Sequence, residues 1–329
     1  MILKYVVLLV FAICISLITG KLQINYLRKI ALGQQVRDDG PQRHLAKSGT
    51  PTFGGLIFLT PFFIYTIYSL ITRGFTKETV LSIFVLLISA IGFADDYVKV
   101  KINKEGLSVR QKTVSILSII VIFIIYLNRS GNLSGFYVPF FSKSFVSVSS
   151  FAAIVFALFA MFYFYSCINA VNITDGEDGL CTSISVIALL FIGTLASSSL
   201  FLHKDNELLE PTLVMIGGLL AFFFYNKYPA KIFMGDFGSL ALGAYISGAL
   251  FIIGQPWLFL LIGLIYWVEI ASVFIQVMYF KKTGGKRIFR MSPIHHHFEL
   301  GGWSENKICL VFSLVTALAS VLALLASLR

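Results

Sequence analysis

Ten long apolar runs, separated by short polar connections, recur along the whole of this 329-residue chain. A helix needs about 20 mostly apolar residues to cross the hydrocarbon of a bilayer, which is roughly 30 Å thick. The runs are continuous, whereas the strands of a transmembrane barrel alternate apolar and polar side chains, so helices are favoured. The predicted spans cover residues 2–20, 53–72, 79–94, 114–127, 150–170, 180–201, 211–225, 238–254, 257–280 and 308–328.

The composition fits a chain that lies mostly in lipid. Hydrophobic residues make up 57% of it, and only 13% of its residues are charged. A soluble protein needs more polar side chains to cover its surface, so a soluble class is excluded. The polar connections are short, and neither a repeat nor a low-complexity segment marks a second unit. We therefore predict an all-α polytopic membrane protein with residues 1–329 in a single domain.

Basic residues are distributed unequally between the two sides of the predicted bundle. With ten spans, the connections after spans 1, 3, 5, 7 and 9 share one side, and they hold 19 of the 26 Lys and Arg residues. The positive-inside rule places these connections in the cytoplasm and both termini outside. The net charge of +10 mostly reflects this asymmetry, and it suits anionic lipid or phosphate partners. No basic–aromatic pattern indicates binding of nucleic acid.

Most of the unusual polar residues fall on these connections, which predicts an active-site cleft at the cytoplasmic face. The first connection holds Lys47 in a turn-rich stretch of Gly and Pro that runs from Gly40 to Gly55. Such a loop can present backbone N–H groups and a lysine charge to a phosphate. An ordinary basic loop is the alternative explanation.

Two adjacent acids, Asp95 and Asp96, follow the third apolar run. A charge in the middle of the bilayer costs on the order of 3 kcal/mol, so these carboxylates are expected at the cytoplasmic edge. Neighbouring acids repel each other unless a cation or a proton intervenes, so the pair suits Mg²⁺ and phosphate chemistry. A solvated acidic pair that ends a span is the alternative.

The connection after the fifth span has no Lys or Arg, but it holds Asn172, Asp175 and Asp178. In a helix, Asp175 and Asp178 would share one face. Hydrogen-bond acceptors or metal ligands explain these residues better than solvation does. A tight turn is the alternative, because Asp and Gly both favour turns.

Asp236 stands at the predicted N-terminus of the eighth span. Helix capping and the helix dipole would stabilise a carboxylate there, and a metal ligand is the competing interpretation. Phe233, just before it, is a candidate platform for a nucleobase, although a single aromatic more often serves packing.

The ninth span and the connection after it supply further candidates. Glu269 and Gln276 are seven residues apart, and both are predicted to point into the bundle. The triplet His295–His297 suits a transition metal, a phosphate contact or acid–base chemistry. A zinc site is one alternative, but the other candidate ligands are oxygens, which favour Mg²⁺.

The order of these motifs resembles MraY, the family of bacterial phospho-N-acetylmuramoyl-pentapeptide-transferases. The matching segments are residues 40–42, 49–55, 95–99, 169–176, 178–179, 233–239 and 293–299. The histidine triplet after Pro293 is the most specific of them, because it separates this family from related polyprenyl-phosphate N-acetylhexosamine-1-phosphate transferases. The ten predicted spans and the outside termini agree with the family.

The resemblance implies a reaction. UDP-N-acetylmuramoyl-pentapeptide and undecaprenyl phosphate would give undecaprenyl-pyrophosphoryl-N-acetylmuramoyl-pentapeptide (lipid I) and UMP, with Mg²⁺, for peptidoglycan synthesis. It also implies a multi-pass protein of the bacterial inner (plasma) membrane, for which a homodimer is plausible.

The resemblance also implies residue roles. Asp236 would bind Mg²⁺, with Asp95, Asp96 and His296 beside it in the catalytic centre. Residues implied to bind substrate are Lys47 and Lys112 at phosphate; Asn172, Asp175, Asp178, Asn226, Phe233 and Gln276 on the uridine and sugar side; and His295, His296 and His297.

Two residues depart from the family pattern. Glu177 stands where an apolar residue is expected, and Arg43 precedes His44 where a small polar residue is usual. Glu177 adds a charge near the expected nucleotide cleft.

The residues leave the mechanism open between two routes. Asp95 or Asp96 acts as a base in one direct displacement, or one of them attacks first and forms a covalent intermediate. We favour direct displacement, because an ionised phosphate monoester is already a nucleophile. A sibling transferase that uses UDP-N-acetylglucosamine is the alternative within enzymes. A transporter is the alternative of another class, but the polar clusters lie at one face rather than at mid-bilayer.

Overall fold

The ten predicted spans are all helical in the computed structural model, which describes residues 2–29, 49–103, 105–131, 133, 135–138, 142–147, 152–201 and 205–328. Ten helices within these ranges are long and apolar enough to cross a membrane. They are α1 (Ile2–Lys29), α2 (Gly55–Arg73), α3 (Lys77–Lys101), α4 (Val109–Arg129), α5 (Ala152–Thr174), α6 (Leu180–Ser197), α7 (Asn206–Asn226), α8 (Gly235–Ile252), α10 (Leu264–Lys282) and α12 (Glu305–Ala326). The short helices α9 (Phe259–Ile262) and α11 (Ile294–Glu299) complete the set. Lys47 and Arg43 lie outside the described residues.

Two span boundaries differ from the prediction in ways that matter. Helix α3 continues to Lys101, so Asp95 and Asp96 lie inside its last two turns rather than after it. The predicted span 257–280 is interrupted by a 3-10 turn at Pro256–Leu258, by α9 and by Gly263, and α10 begins only after them. Gly and Pro end regular helix even where the composition stays apolar, which explains the second difference.

A small β-hairpin between α4 and α5 was not predicted. Strand β1 (Gly135–Val138) pairs antiparallel with β2 (Ser142–Ser147), with Gly135 opposite Ser147 and Val138 opposite Ser142. The backbone N–H of Tyr137 donates to the carbonyl of Gly254, so the hairpin lies against the end of α8. These are the two strands among the described residues, and an isolated β-bridge also joins Phe201 to Leu328.

Helix α8 lies at the centre of the bundle, and 83% of its membrane-spanning window is buried against other helices. Small residues allow α8 to pack at the centre, because they let neighbouring backbones approach closely. A Cβ on Gly243 would come within 2.6 Å of the Cα of Ile168 in α5, and a Cβ on Gly92 of α3 would overlap the backbone of Asp236. The contact at Gly92 fixes the end of α3 against the start of α8.

The chain before α2 joins the same end of the bundle. The N–H of Phe233 donates to the carbonyl of Pro51 at 2.8 Å, and the carbonyl of Phe233 accepts from Gly54 at 2.8 Å. Gly55 donates to Met234 at 2.9 Å. The starts of α2 and α8 and the end of α3 therefore meet, and most of the predicted polar residues lie there.

Candidate functional site

Three carboxylates meet where α3 ends and α8 begins. Asp95 and Asp96 come from α3 and Asp236 from the first turn of α8, and one oxygen of each lies within 4.8 Å of the others. The side chains of Asp95 and Asp96 are 3% and 5% exposed, and that of Asp236 is 17% exposed. Asp236 is therefore the member of this aspartate cluster that a substrate reaches most easily.

Asp236 does not cap its own helix. Instead, Oδ2 of Asp96 accepts a hydrogen bond at 3.0 Å from the backbone N–H of Phe237, in the first turn of α8. A carboxylate near a helix N-terminus is favoured by the unpaired N–H groups and the dipole. The capping role suggested for Asp236 thus belongs to Asp96 of the neighbouring helix, which leaves the Asp236 carboxylate for other partners.

Two lysines supply the counter-charges of the aspartate cluster. Nζ of Lys99 lies 2.6 Å from Oδ2 of Asp95 and 2.9 Å from Oδ2 of Asp236. Nζ of Lys112 lies 2.5 Å from the same oxygen of Asp236 and 3.4 Å from Oδ2 of Asp95. Such pairing is required because an unpaired buried charge is costly. The result is a half-buried group of three acids and two cations that suits phosphate chemistry.

The connection between α3 and α4 places Lys112. Ser108 and Gln111 form a capping box at the N-terminus of α4, which fixes where the helix begins. The N–H of Leu107 donates to Oδ1 of Asp95 at 2.7 Å, so the same connection is tied to the aspartate cluster. Lys112, in the first turn of α4, therefore faces Asp95 and Asp236.

Asn172 holds the remaining oxygen of Asp236. Its Nδ2 donates to Oδ1 of Asp236 at 2.9 Å and to Oγ of Ser239 at 2.8 Å. The amide links the end of α5 to the first turns of α8. The structure thus places Asn172 at the aspartate cluster, whereas the resemblance implied the uridine and sugar side.

The donor set of the aspartate cluster fits a hard divalent cation. All the candidate ligand atoms of the cluster are carboxylate oxygens, the type that Mg²⁺, Ca²⁺ and Mn²⁺ prefer. Their mutual distances allow one ion to contact all three acids. The ammonium groups of Lys99 and Lys112 already lie against the same oxygens, which shows that positive charge is accommodated there.

Asp175 and Asp178 do not lie in a helix, so the tight turn that was the alternative interpretation is the conformation found. Residues 175–179 form consecutive turns between α5 and α6, and Gly179 has a φ of 77°. Gly favours that left-handed conformation because it has no Cβ. Desolvation, and then the charges of Asp236, Asp96 and Asp178, raise the pKa of Asp175 well above its ordinary value.

Asp178 and Asn226 make contacts that hold the local backbone. Oδ2 of Asp178 accepts from the N–H of Ala230 at 2.8 Å. Asn226 is buried at the end of α7, where its Oδ1 accepts from Thr182 at 2.7 Å and its Nδ2 donates to the carbonyl of Ile232 at 3.1 Å. Both residues therefore shape the connection 227–234.

Phe233 lies within that connection, next to the aspartate cluster. Its backbone pairs with Pro51 and Gly54, and its side chain remains partly exposed.

A second group of polar side chains surrounds the histidines. His295 is 1% exposed, and its Nδ1 lies 3.0 Å from Oε2 of the fully buried Glu269. Nδ1 of His296 lies 3.1 Å from Oε2 of Glu299 and 4.0 Å from Oε1 of Glu177. The expectation that Glu269 points into the bundle is confirmed.

His297 has a different environment from its two neighbours. Its Nδ1 accepts a hydrogen bond at 3.1 Å from the backbone N–H of Arg290. The rings of Phe289 and Phe298 meet its ring at 79° and 83°. The contacts of the triplet therefore place His295 and His296 together and direct His297 toward the connection 283–293.

Gln276 ties the same connection to α10. Its Oε1 accepts from the N–H groups of Ile288 and Phe289, both at 3.0 Å, and its Nε2 donates to the carbonyl of Phe289 at 3.0 Å. Gln276 also lines a cavity of about 380 Å³ together with Val277, Phe280, Lys281, Arg287, Met291 and Ser292. It is buried, as predicted, and the basic cavity beside it suits an anionic group.

Sequence reasoning missed three functional candidates. Lys99 follows Asp95 by four residues and Asp96 by three, a helical spacing that identifies it once α3 is known to continue past residue 94. Glu269 was recognised as buried but not as the partner of His295. For Glu177 the sequence indicates only an unusual charge. No local pattern connects it to His295 and His296, which are more than a hundred positions away.

Comparison with known proteins agrees with this geometry. Residues 79–254, which include the aspartate cluster, match glycosyl transferase family 4. The chain is 42% identical over 325 residues to the phospho-N-acetylmuramoyl-pentapeptide-transferase of Listeria monocytogenes serotype 4b (strain F2365), covering 96% of this chain and 98% of that protein.

Proteins from two other bacteria give the same result. The proteins of that name from Carboxydothermus hydrogenoformans and Staphylococcus carnosus are 43% and 39% identical. The matches cover 95% of this chain and 95% of the first protein, and 97% of this chain and 98% of the second.

Proposed function

Because this chain belongs to the phospho-N-acetylmuramoyl-pentapeptide-transferases, within glycosyl transferase family 4, we propose that it carries out their reaction with the following substrates. It transfers phospho-N-acetylmuramoyl-pentapeptide from UDP-N-acetylmuramoyl-pentapeptide to undecaprenyl phosphate, which gives lipid I and UMP. The observation that carries this proposal is the convergence of Asp95, Asp96 and Asp236 with Lys99 and Lys112 at one end of the bundle.

The reaction brings two anions together, and the site is built to offset their repulsion. An ionised oxygen of the lipid phosphate attacks the phosphorus that carries the sugar, and the bond from that phosphorus to the UMP oxygen breaks. Lys99 and Lys112 can each exchange a carboxylate contact for a phosphate contact, which places positive charge where the diphosphate must lie. Preorganised charges of this kind supply a large part of phosphoryl-transfer catalysis.

Mg²⁺ is the cation that we propose for the aspartate cluster, held by Asp236 with Asp95 and Asp96 beside it. When bound, such an ion neutralises diphosphate oxygens and the departing UMP. Asn172 orients the Asp236 carboxylate through the hydrogen bond to Oδ1. The bond from Phe237 to Asp96 keeps the two helices that carry the ligands in fixed relation.

Direct displacement fits the contacts of the aspartates better than a covalent intermediate. Asp95 and Asp96 are almost fully buried. One oxygen of Asp95 accepts a hydrogen bond from the N–H of Leu107, and one oxygen of Asp96 accepts from the N–H of Phe237. A nucleophile must reach the phosphorus, whereas a base needs only one oxygen within hydrogen-bond distance of the proton. We propose that Asp95 or Asp96 receives the proton of the lipid phosphate and that neither becomes phosphorylated.

The remaining predicted residues form the proposed substrate surface around this centre. Asp175 and Asp178 lie in the connection 175–179, Asn226 ends α7, and Phe233 lies in the connection 227–234. We propose that the uridine and sugar lie beside these residues. Gln276 and the histidines border the connection 283–293 on the other side. Lys47 is proposed to contact phosphate from the sequence motif alone.

We propose that this surface faces the cytoplasm and that both termini lie outside, from the distribution of basic residues. Alkaline phosphatase fused after Arg329 should be active, and the same reporter inserted after Lys282 should be inactive. The reverse pattern would contradict the orientation. The family resemblance also supports a homodimer, which native mass spectrometry of the detergent-purified protein would detect.

The activity is tested by UMP release from the detergent-purified protein with UDP-N-acetylmuramoyl-pentapeptide and Mg²⁺, with and without undecaprenyl phosphate. Release should require both substrates and should collapse in Asp236→Asn, while the exposed Glu105→Gln keeps it. UDP-N-acetylglucosamine in place of the donor should give no release. Release from that donor would identify the sibling reaction, and release without lipid would support a covalent intermediate or hydrolysis.

A further inference from the structure

A second set of metal-ligand side chains lies apart from the three aspartates. Glu177, His295 and His296 each place one ligand atom within 4.8 Å of the other two. Glu177 comes from the turns after α5, and the histidines come from α11. Neither element contributes a carboxylate to the aspartate cluster, so the two sets share no residue.

The ring of His295 is held as the rings of metal-binding histidines are. Its Nδ1 lies 3.0 Å from Oε2 of Glu269, and that carboxylate also accepts from the backbone N–H of His295 at 3.4 Å. A carboxylate bonded to one ring nitrogen fixes the tautomer, so that the other nitrogen presents its lone pair to a metal. Glu269 is fully buried, so its contact with Nδ1 restricts the orientation of the His295 ring.

The other ring nitrogen of His295 is buried without a hydrogen-bond partner among the described residues. His295 is 1% exposed, and its Nε2 has no donor or acceptor within reach. This nitrogen faces the turn that carries Glu177, because a Cβ on Gly176 would overlap it. A buried polar atom of this kind normally has a partner, and a bound cation would provide one.

His296 completes the set. Its ring centroid lies 4.2 Å from that of His295. Its Nδ1 faces two carboxylates, Oε2 of Glu299 at 3.1 Å and Oε1 of Glu177 at 4.0 Å. Both imidazoles thus have a carboxylate on one nitrogen. Two imidazoles and one carboxylate are a donor set that Zn²⁺ takes in sites with three protein ligands and one open position.

We propose that Glu177, His295 and His296 bind a transition-metal dication of the Zn²⁺ class, with Glu269 positioning His295. The nitrogen donors distinguish this site from the all-oxygen aspartate cluster, because imidazole selects Zn²⁺ over Mg²⁺. The proposal does not depend on the transferase reaction.

The test is a binding measurement on the full-length protein in detergent. After chelator treatment and return to millimolar Mg²⁺, Zn²⁺ is titrated calorimetrically into the protein and into three variants. The unmodified protein should bind one Zn²⁺, Glu177→Gln should bind at least 10-fold more weakly, and Glu269→Gln should lose about 10- to 100-fold in affinity. Asp236→Asn should bind Zn²⁺ as the unmodified protein does.

Two results would overturn the proposal. Unchanged affinity in Glu177→Gln would remove it from the site, and loss of binding in Asp236→Asn alone would place the ion at the aspartate cluster. Gel filtration and thermal unfolding check that the variants fold. X-ray absorption at the zinc edge needs no variant: imidazole scattering from two histidines supports the site, and neighbours that are only oxygen contradict it.

Discussion

Oδ2 of Asp96 accepts a hydrogen bond at 3.0 Å from the backbone N–H of Phe237, 141 residues further along the chain. This bond ties the last turns of α3 to the first turn of α8, and it lies between two of the three clustered carboxylates. The charge of Asp96 and its structural role can therefore be separated by substitution.

Asp96→Asn should retain the fold and lose activity. The amide oxygen can still accept from Phe237, so the free energy of unfolding should change little, while loss of the charge should lower kcat about 10²- to 10³-fold. Asp96→Ala should also lower the free energy of unfolding by about 1–3 kcal/mol, because it leaves that N–H without its partner. UMP release and thermal unfolding measure the two effects, and equal unfolding of both variants would contradict this division.

Lys99→Met should reduce activity by about 10²-fold, because Lys99 neutralises Asp95 and Asp236 and is proposed to contact the diphosphate. Lys101→Met is the matched control, since Lys101 lies on the same helix and is exposed. UMP release at saturating substrate gives the comparison. If both variants retained activity, Lys99 would be a structural counter-charge only.

Asp175→Asn should change how stability depends on pH. The pKa of Asp175 is raised in the folded protein, so its protonated form is the one that folding favours. That contribution is fully present below the unfolded pKa and is lost as pH rises through the folded pKa. The variant should therefore gain stability relative to the unmodified protein as pH increases, and Tm measured from pH 4 to 8 should show the gap widening. A constant gap would mean that Asp175 titrates normally.

Gln276→Ala should release the connection 283–293, because three hydrogen bonds to Ile288 and Phe289 are lost. Limited trypsin cleavage at Lys286 and Arg287 should become faster, and KM for the nucleotide substrate should rise. Gln276→Glu keeps the acceptor for both N–H groups and should show a smaller effect on cleavage. A higher KM with unchanged cleavage in Gln276→Ala would instead indicate a direct substrate contact.

Gly92→Ala should push α3 away from α8. The added Cβ has no space against the backbone of Asp236, so the helices must shift and the aspartates with them. Activity should fall strongly, and overpacking of this kind typically lowers the free energy of unfolding by about 1–3 kcal/mol. Ala90→Leu on the exposed face of α3 is the control, and similar Tm and activity for the two variants would contradict the close contact.

Local sequence was enough to predict the ten spans and the three aspartates. A long apolar run predicts a membrane span without knowledge of the helices that pack against it. Adjacent acids beside such a run are unusual wherever they occur. For Asp175 and Asp178 the sequence left a helix and a tight turn open, and the structure has the turn, with glycines at 176 and 179. The apolar run predicts that α3 ends at residue 94, but the helix continues to Lys101. The charged residues mark the end of the apolar part of the helix and not the end of the helix.

Side-chain contacts between distant parts of the chain could not be predicted from the sequence. Glu269 and His295 are 26 residues apart in sequence and lie on different helices. Glu177 lies close to His295 and His296 in space but is even more distant from them in sequence. The capping of α8 by Asp96 is of the same kind, because Asp236 looked like the local cap. Lys99 differs from these, since its helical spacing from Asp95 and Asp96 identifies it once α3 is known to continue past residue 94.

The central position of α8 has a consequence for how the protein responds to its lipid environment. The helix that carries Asp236 is 83% buried along its span, while α1 at the periphery is only 11% buried. When bilayer thickness changes, helices that touch lipid tilt to match it. We therefore expect the peripheral helices to take up that adjustment, and the distances within the aspartate cluster to change little between membranes of different thickness.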